Sequence, residues 1–122
     1  MINKFHINLL SFFLLVFLTQ NLNANELSID ANVIEVEKDN QILNASGNVK
    51  VIDSKNNIIK ADQINYNKKK QILKTSGKTE ILTSENYEIL GEDIVYDNVK
   101  KIISSKNQTQ ITDKEGNEIS VD

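Results

Sequence analysis

Gln71-Ile72-Leu73-Lys74-Thr75-Ser76-Gly77 repeats Gln41-Ile42-Leu43-Asn44-Ala45-Ser46-Gly47, and Gly91-Glu92-Asp93-Ile94-Val95-Tyr96 repeats Ala61-Asp62-Gln63-Ile64-Asn65-Tyr66. Both pairs are offset by 30 residues, as Gln41 to Gln71 shows. A fixed period of this size signals stacked supersecondary units, each too small to bury its own apolar face. Within the unit, Leu73, Thr75, Gly77, Thr79 and Ile81 share one parity, while Lys74, Ser76, Lys78 and Glu80 take the other. Leu43, Ala45, Gly47, Val49 and Val51 alternate in the same way. Period-2 alternation means a strand with one buried and one wet face.

Working outward, each unit reads as two strands of about ten residues joined by polar turns. The turns fall at Glu37–Asn40, Asp53–Asn57, Asn67–Lys70, Thr83–Asn86, Asp97-Asn98 and Asp113–Asn117. Strands are expected over Leu27–Val36, Ile58–Asn67, Tyr87–Tyr96 and Ile119–Val121. A degenerate third unit carries Ile103, Ser105, Asn107, Thr109 and Ile111 in the inward set, with Asn107 in the place of Gly77. Asn is the common substitute where a left-handed backbone is needed, so the swap predicts that backbone at Asn107. Ile59 and Ala61 share a parity, but Ile64 and Tyr66 take the other, and Ile89/Gly91 and Ile94/Tyr96 repeat the slip. One extra residue flips the face, so a bulge or corner is expected near Asp62-Gln63 and Glu92-Asp93. β-branched residues dominate and no segment has helical apolar spacing, so the class is all-β.

Residues 1–24 differ from the rest. Lys4 gives a positive start, Leu9–Leu18 is apolar, and Leu22-Asn23-Ala24 ends on a small residue. This reads as a secretory signal peptide cleaved after Ala24, leaving a domain over residues 25–122. An uncleaved N-terminal anchor is the alternative, although a span needs about 20 apolar residues. The four Phe and the single His leave with the signal, and the mature part has no Cys, Pro, Trp or Arg. Lys4 also leaves while all 17 acids stay, so 13 lysines face 17 carboxylates and the net charge is −4. That balance argues against nucleic acid, which needs clustered cations. Without His or Cys, most nucleophile–base pairs and soft metal sites are excluded, and no cofactor is implied. The carboxylates fall at turns and on outward parities, which describes a polar surface rather than an acid/base pair. Asp113–Gly116 does not have EF-hand spacing and reads as a hairpin turn. Nothing here points to an enzyme.

Stacking aligns three apolar columns: Leu43, Leu73 and Ile103; Val51, Ile81 and Ile111; Ile34, Ile64 and Ile94. Between the first two lies a column of small residues, Ala45/Gly47, Thr75/Gly77 and Ser105/Asn107. Small residues let backbones approach closely in a packed interior. They also leave room for a groove along the stack, and the sequence leaves both readings open.

The pattern Ala/Gly-Asp/Glu-x-Ile-x-Tyr, a turn, then Ala/Thr-Ser-Gly-x-Val/Thr resembles the OstA-like domains of lipopolysaccharide transport. The matching residues are Ala61, Asp62, Ile64, Tyr66, Thr75, Ser76 and Gly77, with earlier copies at Ala31, Ile34, Ala45, Ser46, Gly47, Asn48 and Val49. The resemblance covers Ile29–Asp122. It implies a twisted, V-shaped, open β-jelly roll of stacked antiparallel two-strand units. It also implies a periplasmic, outer-membrane-associated module that shields lipopolysaccharide acyl chains and performs no catalysis. The family includes a free bridge protein and the N-terminal domain of an outer-membrane assembly protein. Edge strands would join end to end with other transport components, and self-association by strand addition is open. The lining candidates are Leu43, Val49, Val51, Ile64, Leu73, Ile81, Ile94, Ile103 and Ile111. Asp122 aligns with Asp62 and Glu92, where earlier copies continue into Ile-x-Tyr. Either a partner completes that strand or the domain continues in a longer chain. The rival reading, from another class, is a structural or adhesive β-repeat with a dry packed core.

Overall fold

A computed structural model of the chain describes residues 27–121, so the signal peptide expected over residues 1–24 lies outside the described residues. Ten strands form one open antiparallel sheet: β1 (Ser28–Asp30), β2 (Val33–Glu37), β3 (Ile42–Ile52), β4 (Ile58–Asn67), β5 (Ile72–Leu82), β6 (Glu88–Glu92), β7 (Val95–Asp97), β8 (Ile102–Ser104), β9 (Thr109–Thr112) and β10 (Glu118–Val121). No helix occurs among the described residues. The architecture is thus all-β, as the alternation predicts, and open and jelly-roll-like, as the resemblance implies.

Three long strands, β3, β4 and β5, run the full width of the sheet, and their neighbours are split. One half follows the order β1-β3-β4-β5-β6-β9-β10, while in the other β2 pairs with β3, β5 with β7, and β7 with β8. We call these halves the first and second leaflets and the line between them the crease. The register shows what makes the crease. Ser46 pairs with Gln63 and Val49 with Ala61, so Gly47 and Asn48 together oppose Asp62. On the other side Gln63 pairs with Ser76 and Ala61 with Thr79, so Gly77 and Lys78 also oppose Asp62. Two residues against one is a β-bulge, which bends a strand and sharpens its twist. The phase slip at Asp62-Gln63 and the Ser-Gly steps therefore face each other across the ladder. At the corresponding point of the next unit, the chain breaks between β6 and β7, and Asp93 has φ 51°.

The expected single strands over Leu27–Val36, Tyr87–Tyr96 and Ile103–Ile111 are each two strands. Unlike β4, none of them has a continuous long strand on both sides to carry its ladder through the bend. Asn107 does not adopt the left-handed backbone expected of it, and the chain there leaves the sheet between β8 and β9. With no ladder to bulge, the residue aligned with Gly77 has no reason to adopt positive φ.

The turns repeat more faithfully than the strands. Gln41, Gln71 and Lys101 have φ of 54°, 55° and 56°, and Asn56, Asn86 and Gly116 have φ of 65°, 68° and 86°. The second set closes three turns at the outer end of the first leaflet. In these, Asp53 N, Thr83 N and Asp113 N donate to Asn57 O, Tyr87 O and Asn117 O at 3.1, 2.9 and 2.9 Å. The first set belongs to turns at the outer end of the second leaflet. We call these two lines of turns the lips.

Candidate functional site

Because β-strand register places like residues side by side, the inward face is built of rows. Across the first leaflet, Ile29, Val51, Ile59, Ile81, Ile89, Ile111 and Ile119 are partners in sequence. Across the second, Val36, Leu43, Tyr66, Leu73, Tyr96 and Ile103 are. The two faces close on one another. Val51, Ile59 and Ile81 from the first leaflet and Ile64, Tyr66, Leu73 and Tyr96 from the second join a single buried cluster.

Six of the nine predicted lining residues, Val49, Val51, Ile64, Leu73, Ile81 and Ile94, are buried in that cluster at 3% exposure or less. They pack on each other within it, Val49 also reaching a surface concavity of about 1210 Å³ and Ile64 one of about 280 Å³. Leu43 is half-buried against the cluster, and Ile111 is half-buried. Ile103 is 37% exposed. The space between the leaflets opens at the end of the stack nearest β10. A cavity of about 170 Å³ lies there, lined by Ile89, Ile103, Ser105, Asn107, Thr109, Ile111 and Val121. It is apolar on the column residues and polar only at the small ones. We call it the mouth.

The small-residue column has a different role from the one its spacing suggested. A Cβ on Gly77 would meet nothing within 4 Å, and Gly77 itself is exposed with φ +79°. The requirement there is backbone conformation, which only Gly meets without strain. Gly47, at the same φ, also has Asn32 Nδ2 only 2.6 Å from where a Cβ would sit. Thr75 and Thr79 point inward and are buried, with their hydroxyl oxygens 2.6 Å apart. Ile94 N donates to Thr75 Oγ1 at 2.9 Å, so the buried hydroxyls at the crease have partners.

At the lips, buried polar groups meet. Asp53 Oδ1 accepts from Lys55 N and Asn57 N, each at 2.9 Å, and Oδ2 accepts from Asn57 Nδ2 at 2.8 Å. The Tyr96 hydroxyl crosses from the second leaflet and donates to Asp53 Oδ2 at 3.0 Å. It also lies 3.3 Å from Asn98 Oδ1, which accepts from Lys101 Nζ at 2.6 Å. Burial raises the Asp53 carboxyl, but the hydrogen bonds from Asn57, Lys55 and Tyr96 outweigh it and hold it below its ordinary range. Burial, with the Asp53 charge beside it, raises the Tyr96 hydroxyl well above its ordinary value. The sequence alone puts Asp53 in a turn and Tyr96 on a parity. The signal available was the recurrence of Asp53 and Asn57 as Asp113 and Asn117.

A wider concavity, about 1210 Å³, runs along the first leaflet and reaches Val49, Ala61 and Thr79. Outward residues such as Lys50, Lys60, Lys78, Glu80, Glu92 and Gln110 line it. With Asp62, its three lysines face three carboxylates. Among the described residues no three His, Cys, Asp or Glu side chains gather as a metal site, and no helix is long and apolar enough to cross a membrane. Compared with known protein families and with characterised proteins, the chain matches neither a family nor a relative.

Proposed function

We propose that this protein is a non-catalytic, exported module that takes the acyl chains of lipopolysaccharide between its two leaflets during outer-membrane assembly in the periplasm. The observation that carries the reading is the mouth. There the apolar columns that are buried in the centre come to the surface at Ile103 and Ile111, beside Val121, around a cavity of about 170 Å³. An apolar cavity of roughly 150 Å³ takes a benzene-sized ligand. The mouth therefore suits the end of an acyl chain, and deeper entry requires the leaflets to separate. Edge strands β2 and β8, each paired on one side only, supply the open ladders by which other transport components or a second copy would add strands.

A second reading has its own observation. The sealed centre, with Leu73 and Ile94 at 0% exposure, suits a structural or adhesive β-repeat with a dry core and no lipid. Photo-crosslinking side chains at positions 103 and 111 decide between the two. The carrier reading expects lipopolysaccharide to be captured at both positions in cells. If neither position captures it, the carrier reading fails and the packed repeat stands.

A further inference from the structure

We infer that Asp53 and Tyr96 form a clasp that holds the two lips together and must release before the leaflets can part. The inference rests on the proposed function for its purpose, but not for its mechanics. The leaflets are joined continuously at the crease, through the backbones of β3, β4 and β5. At the lips no strand crosses, and the Tyr96–Asp53 hydrogen bond links residues 43 apart in the chain. It sits at the far end of the lever from the bend, where a single bond has the greatest mechanical advantage over opening.

The bond is held ready on both sides. Asp53 is 6%, Tyr96 5% and Asn98 3% exposed, so water does not compete for the hydroxyl. The Asn57 side chain and two backbone amides fix the carboxylate. Asn98 is anchored in its turn, with its N–H donating to Gln71 O at 2.9 Å. Lys101 Nζ stands 5.9 Å from the centre of the Tyr96 ring and covers its face.

The repeat supplies an internal control. Asp113 stands two periods beyond Asp53 and builds the same turn. Its Oδ1 accepts from Glu115 N and Asn117 N at 2.9 and 2.8 Å, and its Oδ2 accepts from Asn117 Nδ2 at 2.8 Å. No tyrosine among the described residues reaches it. The same turn is thus clasped beside the sealed centre and unclasped beside the mouth. Turn formation alone does not explain the buried Tyr96–Asp53 pair.

Spin labels at positions 55 and 100, exposed residues on the two lips, measure the opening directly. The unmodified chain should give one narrow distance distribution. Tyr96→Phe, which removes one oxygen and keeps the packed ring, should raise the longer-distance fraction about tenfold, as loss of a hydrogen bond to a charged group predicts. Asp113→Asn should leave the distribution unchanged. A Tyr96→Phe distribution identical to the unmodified one overturns the clasp, as does equal broadening by Asp113→Asn. Opening in Tyr96→Phe without lipopolysaccharide capture at position 103 or 111 upholds the clasp and overturns the carrier reading.

Discussion

The centre of the stack and its C-terminal end are built from the same columns and differ in what surrounds them. Leu73 and Ile103 are one repeat column, yet Leu73 is 0% and Ile103 37% exposed. Ile81 is 1% exposed, while Ile119, farther along the same row, is 61%. The central residues have a strand on both sides and a facing leaflet above them. The end residues lack one neighbour, and no cap replaces it among the described residues. A stacked unit buries its apolar face only on the next unit. The contrast teaches that the interior is sealed by neighbours rather than by the unit itself.

The largest expected effect breaks the column in its sealed part. Leu73→Ala should destabilise by about 3 to 4 kcal/mol in urea unfolding, because a fully buried Leu leaves a cavity. Ile103→Ala, in the same column, should lose about 1 kcal/mol or less, since its site is already open. Equal losses would mean that the centre and the end do not differ.

The crease gives the next largest difference. Gly47→Ala should lose about 2 to 3 kcal/mol, from positive φ and from the clash with Asn32 together. Gly77→Ala faces the backbone term alone and should lose about 1 kcal/mol. Asn107→Ala, at the end copy of the position, should change stability by no more than about 0.5 kcal/mol. Thermal or urea denaturation of the three variants ranks them.

The smallest effect is in pH. Asp53 titrates below its ordinary range in the folded chain, so its contribution is present above about pH 4 and is lost as pH falls through the folded value. Tyr96 titrates above its ordinary value, so its contribution is present below about pH 10 and is lost as pH rises through the folded value. Stability should therefore be flat between these limits and fall on both sides. Asp53→Asn should flatten the acid side, and Tyr96→Phe the alkaline side. Asp113 also titrates low, through its own turn, but solvent screens it. Asp113→Asn should alter the acid side less than Asp53→Asn does.

These contrasts also mark what was legible beforehand. The parity of Leu73 to Ile81, the turns at Asp53, Thr83 and Asp113, and the bend opposite Asp62 are local consequences of alternation and turn chemistry. They could be read from the residues. The split of Tyr87–Tyr96 into two strands depends on whether a long strand continues beside it, which no local pattern records. The same holds for Asn107, whose backbone follows from a ladder that ends before reaching it. Six of the nine candidate lining residues, Leu73 and Ile81 among them, lie in the buried cluster, and Ile103 is exposed. Which of them lie sealed and which reach the mouth depends on their place in the stack. The Asp53–Tyr96 bond arises only when the leaflets fold over, so sequence spacing of 43 residues gave no hint of it.

The chain has no cysteine, so single cysteines report accessibility without background. The most direct test measures maleimide labelling at Ile111→Cys and Ile81→Cys, two positions of one repeat column, with and without lipopolysaccharide. Labelling at position 111 should be fast and slowed by lipopolysaccharide, and labelling at position 81 slow in both conditions. Equal labelling at the two positions, or labelling at position 111 that lipopolysaccharide leaves unchanged, would contradict this expectation.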